Sequence, residues 1–191
     1  MSQFPVVIIL AAGLGERFAA SGGTVHKLDA LLAGKRVIDH VLDAVRASGL
    51  PHHVVRPDAH EAAGAGMGDS IAAGIKATLD ASSWLILPAD LPLIRSDTLR
   101  AIALAPACGV TVPRYHGQRG HPVRFDAVCR PDLLKLKGNS GAAQVLRAQA
   151  AINSIAFVDV NDAGVLTDID TLDDLRRAET LLSERSKCAG E

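Results

Sequence analysis

The chain has 191 residues, 48% of them hydrophobic, enough for one packed domain and too few for two large ones. Its 20 Lys and Arg stand against 21 Asp and Glu, a formal net charge of −1 that excludes a broadly basic nucleic-acid-binding surface. Cys108, Cys129 and Cys188 form no CxxC pair, the start MSQ lacks a signal peptide's basic stretch, and no apolar run approaches the ~20 residues of a membrane span, so a soluble cytoplasmic protein without structural zinc, membrane or nucleic-acid partner is expected.

The first strand-like run, residues 6–10, opens into Leu10-Ala11-Ala12-Gly13-Leu14-Gly15-Glu16-Arg17-Phe18. Further strand-like runs lie at 53–56, 84–87, 109–112, 122–125 and 154–158, bounded mostly by Gly, Pro, Asp or Asn. Between them, helical spacing of apolar residues covers 37–45, 71–79, 99–102, 143–146 and 172–182. Short, non-alternating strands alternating with amphipathic helices predict a three-layer α/β domain spanning residues 1–191, Rossmann-like, with a mostly parallel sheet. The polar segment 115–120, YHGQRG, predicts a hairpin or long loop that makes the sheet mixed, and the polar tail 183–191 is expected to fray.

In such a sheet the loop after the first strand lies at the carboxyl edge, where glycines let backbone N–H groups approach phosphate oxygens. Gly13 and Gly15 suit that task, Arg17 adds a permanent cation with a fork of donors, and Lys27 could supply a second point charge. An ordinary glycine turn with a solvated arginine explains the same residues equally well. The loop is neither GxGxxG nor GxxxxGK[ST].

Asp90 ends the apolar run Trp84-Leu85-Ile86-Leu87-Pro88-Ala89, so its carboxylate projects from a strand's carboxyl end. Such a group suits magnesium, which takes one or two carboxylates plus phosphate oxygens and water; it could equally cap the turn into Leu91-Pro92. Asp168 and Asp170 flank Ile169 and point to one face when extended, where they can share a cation, unless Asp170 N-caps the following helix. In Gly66-Met67-Gly68-Asp69-Ser70, Asp69 or Ser70 can cap the helix that follows, and a helix N-terminus also receives anionic ligands. His121 is either structural or a hydrogen-bonding group for a substrate; His26 and the other histidines lack metal-ligand spacing.

Five stretches occur in one order: LAAGLGERF with His26-Lys27-Leu28, GMGDSIAAGI from Gly66, LPADLPLI from Leu87, RGHPVRF from Arg119, and GVLTDIDTLDDL from Gly164. Together they resemble the MobA-like nucleotidyltransferases over nearly the whole chain, and are most similar to the molybdenum cofactor cytidylyltransferase branch. The resemblance implies transfer of CMP from CTP to the terminal phosphate of molybdopterin, with release of pyrophosphate and Mg2+ as cofactor. It assigns catalysis to Arg17, Lys27 and Asp90, and metal binding to Asp90, Asp168 and Asp170. The nucleotide would be held by Leu10, Ala11, Ala12, Gly13, Gly15, Arg17, Lys27, Gly68, Ser70 and Asp90. The acceptor would lie at Gly120, His121 and Pro122, and the product would pass to a molybdenum enzyme or its chaperone.

Guanylyltransferases of the family tend to carry Leu-Ala-Gly-Gly at the opening loop, whereas cytidylyltransferases carry Ala-Ala-Gly, as at Ala11-Ala12-Gly13. The methyl group of Ala12 would narrow the base pocket toward a pyrimidine. Two features depart from the family pattern: the segment from Arg17 to Lys27 is longer than usual, and Asn139 and Ala143 stand where Asp and Arg are commoner. A GTP-dependent guanylyltransferase, an enzyme for another phosphorylated acceptor, and a non-catalytic nucleotide- or cofactor-delivery protein are the alternative readings. Arg17, Asp90 and Asp168 count against the last, which has little use for metal carboxylates.

Overall fold

The computed structural model describes residues 5–56 and 66–188, with side chains through Arg185. In chain order, its first half contains β1 (Val6–Leu10), α1 (Glu16–Ala20), β2 (Leu31–Leu32), β3 (Lys35–Arg36), α2 (Val37–Ser48), β4 (His52–Val55), α3 (Met67–Ala77), β5 (Ser83–Pro88) and α4 (Ser96–Leu104). The second half adds β6 (Val110–Tyr115), β7 (Gln118–Arg119), β8 (Val123–Asp126), α5 (Arg130–Leu133), α6 (Ala143–Ala151), β9 (Ile155–Asp159) and α7 (Leu172–Cys188).

The main sheet runs β4-β1-β5-β8-β6-β9, with β7 on the same side of β6 as β8. Its strands are parallel except β7 and β8: β8 runs against both β5 and β6, pairing Trp84 with Phe125 and Val110 with Phe125. This is the mixed, mostly parallel three-layer α/β architecture that the sequence predicts. Successive residues of the central strands enter opposite cores. Val7, Ile9, Leu85 and Leu87 pack with buried residues of α2, α4 and α7, while Val6, Ile8, Trp84 and Ile86 pack with those of α3, α5 and α6. A strand covered on both faces needs apolar residues at every position, which is why these runs show no polar alternation.

The segment 115–120 is a tight hairpin, with His116 at φ 47° and Gly117 at φ 79° between β6 and β7. The small β2–β3 hairpin, missed from sequence, turns through Ala33 at φ 49° and Gly34 at φ 81° without the Asn-Gly or Asp-Gly signal. In β8, the buried Arg124 donates to the carbonyls of Ile102, Ala103, Ala105 and Pro106, which satisfies the carboxyl end of α4. No helix among the described residues is long and apolar enough to cross a membrane.

α7 continues through the first part of the tail to Cys188, and residues 189–191 lie outside the described residues. Arg185 docks the last turns, donating to Leu93 O at 2.6 Å and Asp162 Oδ1 at 2.8 Å. Asp162, buried at 2% exposure, also accepts from Arg95 N–H at 3.0 Å, Thr98 Oγ1 at 2.7 Å and Gly164 N–H at 3.0 Å. One carboxylate thus ties the start of α4, the turn at 163–165 and α7 into one unit. Removing it leaves several buried donors unpaired, so Asp162→Ala is expected to lower unfolding stability by about 3 kcal/mol, measured by urea denaturation.

Candidate active site

Four segments meet at the carboxyl edge of the sheet. The glycine loop follows β1 and Asp90 follows β5; β8 runs the other way, so the turn that precedes it, Gly120–Pro122, arrives at the same edge. The segment leading to α7 crosses over them: Ile169 N–H donates to Asp90 O and His121 N–H to Val165 O, each at 2.9 Å. Between these segments lies a cleft of about 760 Å3.

Lys27 is the charge centre of the cleft. Its Nζ donates to Asp90 Oδ2 at 2.6 Å and to Asp170 Oδ1 at 2.8 Å, and only 11% of its side chain is exposed. Burial opposes its charge, but the Asp90 and Asp170 carboxylates outweigh that cost and hold its pKa above the ordinary lysine value. The long segment after Arg17 therefore brings Lys27 into the site. Arg17 closes the row, with Nη1 2.6 Å from Asp170 Oδ2, but 80% of its side chain faces solvent. Exposed pairs of this kind contribute only about 0–1 kcal/mol, so Arg17 can leave Asp170 for a phosphate at small cost.

His26 braces the loop from behind. Its Nδ1 accepts from Leu28 N–H at 3.3 Å, which leaves Nε2 to donate to Gly13 O at 2.8 Å. Gly15 precedes α1 at φ 70°, a left-handed conformation that L side chains resist. Gly13 differs: its φ lies outside the left-handed region and a Cβ added there meets no atom within 4 Å. The protein's own packing does not require a glycine at position 13, whereas a ligand pressed against the backbone would.

Asp168 and Asp170 share a face, with Ile169 fully buried on the other, as the spacing predicts. Asp170 is not the cap of α7. Thr171 Oγ1 accepts from Asp174 N–H at 3.2 Å and Asp174 Oδ2 accepts from Asp170 N–H at 3.2 Å, a reciprocal cap that frees the Asp170 side chain for Lys27 and Arg17. Both oxygens of Asp170 rest on cations in this arrangement, and among the described residues no cluster of three or more His, Cys, Asp or Glu could hold a metal. Of the three carboxylates, Asp90 and Asp168 are the two that no cation holds through both oxygens. These two fit a hard divalent cation that takes its other ligands from phosphate and water: Asp90 Oδ1 is buried without a hydrogen-bond partner among the described residues. Partial burial, then the carboxylates of Asp90 and Asp170, raise the pKa of Asp168. His121 opens onto the cleft, yet crowding by protein atoms lowers its pKa against the pull of Asp90 and Asp168, favouring neutral imidazole at pH 7.

Leu10, Ala12, Gly13, Gly15, Arg17, Lys27, Ser70, Asp90, Gly120, His121, Asp168 and Asp170 all line the cleft. Ala11, Gly68 and Pro122 do not line it. Ala11 is buried in the core, and a Cβ on Gly68 would lie 2.6 Å from Ser140 O, so this glycine lets α3 meet the 137–140 turn. Asp69 serves the same junction, accepting from the N–H groups of Gly66 and Gly138 at 2.8 Å each, while Ser70 Oγ donates to Gly66 O at 3.2 Å. Asn139 and Arg119 line the cleft and His26 supports it, none of them picked out from sequence. The first departs from the resembling family, the second sits beside the GHP turn, and the third adjoins Lys27; those were the available signals.

An α/β sheet with a glycine loop, a strand-end carboxylate and cations converging on one edge defines a nucleotide-binding enzyme fold. The chain belongs to the MobA-like NTP transferase family, whose domain matches residues 7–152. It is 30% identical to the purine catabolism protein PucB of Bacillus subtilis, over 93% of this chain and 98% of that protein. A nucleotidyl transferase from Methanothermobacter superposes with a TM-score of 0.78 at 21% identity, covering 96% of this chain and 100% of that one. A Mycobacterium tuberculosis protein in complex with manganese gives 0.64 at 21% identity, covering 93% and 99%. A molybdopterin-guanine dinucleotide biosynthesis protein A from Archaeoglobus fulgidus gives 0.59 at 18%, covering 94% and 99%.

Two outcomes test this geometry. Gly15→Ala is expected to cost roughly 1–2 kcal/mol of stability through its φ, whereas Gly13→Ala leaves the melting temperature unchanged or slightly higher. Because the folded-state pKa of Asp168 is raised, its ionisation disfavours the fold: the loss begins as pH rises through the ordinary Asp value, where the unfolded chain ionises, and is complete above the raised folded-state value. Asp168→Asn should therefore raise the melting temperature of metal-free protein at pH 7, and the gain should vanish on acidification, once the wild-type carboxyl is protonated.

Proposed function

We propose that the protein is a divalent-metal-dependent cytidylyltransferase that joins CMP from CTP to the terminal phosphate of molybdopterin and releases pyrophosphate. The observation that carries nucleotide transfer is Asp90 Oδ1, a buried carboxylate oxygen with no hydrogen-bond partner among the described residues, on a residue that lines one cleft with Asp168 and a glycine loop whose Gly13 leaves room for a ligand. A delivery protein has no use for that oxygen. The manganese held by the mycobacterial neighbour supports a divalent cation, for which we propose Mg2+.

Attack by a phosphate monoester on the α-phosphate needs no enzyme nucleophile, so alignment and charge neutralisation are the tasks. The loop amides from Ala12 to Gly15 offer donors to the triphosphate, and Arg17, leaving its exposed pair with Asp170, adds a bidentate cation. Lys27 keeps Asp90 and Asp170 in place and offsets their charge while anionic substrates enter. A cation held by Asp90 and Asp168 supplies further neutralisation of the phosphates. Neutral His121, beside Gly120, offers the acceptor a hydrogen bond.

The base reading rests on Ala12, which lines the cleft. One methyl group discriminates by only ~1–3 kcal/mol, so hydrogen bonds share the selection. The likeness to a guanine dinucleotide biosynthesis protein keeps GTP as the rival donor.

Pyrophosphate release with molybdopterin, Mg2+ and each nucleoside triphosphate in turn decides the matter. CTP-selective release is expected; GTP-selective release would change the base, and no release with any triphosphate would sink the enzyme reading for this acceptor. Asp90→Asn should reduce kcat at least ~100-fold. Ala12→Gly should shift the CTP-to-GTP ratio of kcat/KM toward GTP by roughly tenfold.

A further inference from the structure

Three cationic side chains line the cleft: Arg17, Lys27 and Arg119. The first two are held by carboxylates, whereas the Arg119 guanidinium has no ion-pair partner among the described residues. It lies instead over the ring of Phe157, 5.1 Å from the centroid, with Arg114 over the same ring at 4.8 Å. Arg114 is neutralised by Asp159, through Nε to Oδ1 and Nη2 to Oδ2, each at 3.0 Å. Arg119 therefore keeps its full charge.

The register makes that charge costly. Arg119 stands directly opposite Arg114 in the β6–β7 hairpin, and Arg114 stands opposite Asp159 across β6 and β9. Like charges facing each other across an antiparallel pair destabilise it. Asp159 offsets Arg114 and the Phe157 ring receives the Arg119 guanidinium, yet neither gives a reason for a charge left without an anion among the described residues.

Location supplies one. Along the carboxyl edge the glycine loop follows β1, Asp90 follows β5, and Arg119 precedes the turn into β8, on the far side of Asp90 from the glycine loop. We infer that Arg119 is the acceptor-side anion contact, binding the phosphate monoester of the molecule that receives the nucleotide, with Phe157 as the positioning residue that aims it. This rests on the nucleotidyl-transfer reading above and names the residue that selects a phosphorylated acceptor. Its planar fork suits two phosphate oxygens, which a lysine would meet with a point charge only.

Two measurements on the full-length protein test the assignment. In the first, inorganic phosphate is titrated while the Arg119 Nε–H resonance is followed by NMR. A saturable shift is expected, weakened roughly two- to fivefold in Phe157→Leu. A resonance that stays still overturns the inference whatever the natural acceptor is. In the second, pyrophosphate release is measured with CTP and molybdopterin. Arg119→Gln should raise KM for molybdopterin at least ~10-fold and leave KM for CTP within about twofold, with Arg119→Lys restoring part of the loss. Its melting temperature should stay close to that of the wild type, so that the loss falls on acceptor binding and not on the fold. An unchanged KM for molybdopterin in Arg119→Gln overturns the inference while the transfer reading stands. A wild type that binds phosphate at Arg119 but releases no pyrophosphate overturns the transfer reading and leaves the anion site.

Discussion

Everything at the carboxyl edge depends on one ammonium group. Asp90, Asp168 and Asp170 come from two segments that hydrogen bonding pins side by side, and three carboxylates in one place repel. At an effective dielectric of about 20, unit charges ~4 Å apart interact by roughly 4 kcal/mol, comparable to a large share of a domain's net stability. Lys27 sits between two of the three and cancels that repulsion from inside. Asp168 has no such partner among the described side chains, and partial burial first, then the neighbouring carboxylates, raise its pKa. A divalent cation and a triphosphate would add charges of both signs to this arrangement.

The scaffold that delivers these groups is built away from them. Reversal of one strand, β8, turns an α/β sheet with ligand loops at one edge into a cleft with two sides, because the turn before β8 joins the loops after β1 and β5. Arg124 locks that strand to the end of α4, and Asp162 binds the start of α4 to the segment carrying Asp168 and Asp170. Both are buried charges satisfied by several partners, the condition under which such groups hold a unique geometry.

The legible parts of the site were those with a local cause. Strand-end placement located Asp90, the period of an extended chain set Asp168 and Asp170 on one face, and the glycine loop followed from the first buried strand. The junction served by Gly68 and Asp69 was not legible, because their partners, the 137–140 turn and Gly138, lie far along the chain. His26 escaped notice because bracing Gly13 O requires no ligand-like spacing. Arg119 escaped because its isolation from carboxylates is a property of its surroundings, invisible in a stretch of residues.

By itself the sequence determined the layer architecture, the edge at which ligands would gather and the residue types waiting there, since burial pattern and strand periodicity are local consequences of side-chain chemistry. The tertiary structure decided which charges are already spent. Lys27 and Asp170 are engaged, while Asp90 Oδ1 and Arg119 have no such partner among the described residues, because pairing depends on distances between segments up to 153 residues apart. Those two unspent groups are where substrate chemistry has something to bind.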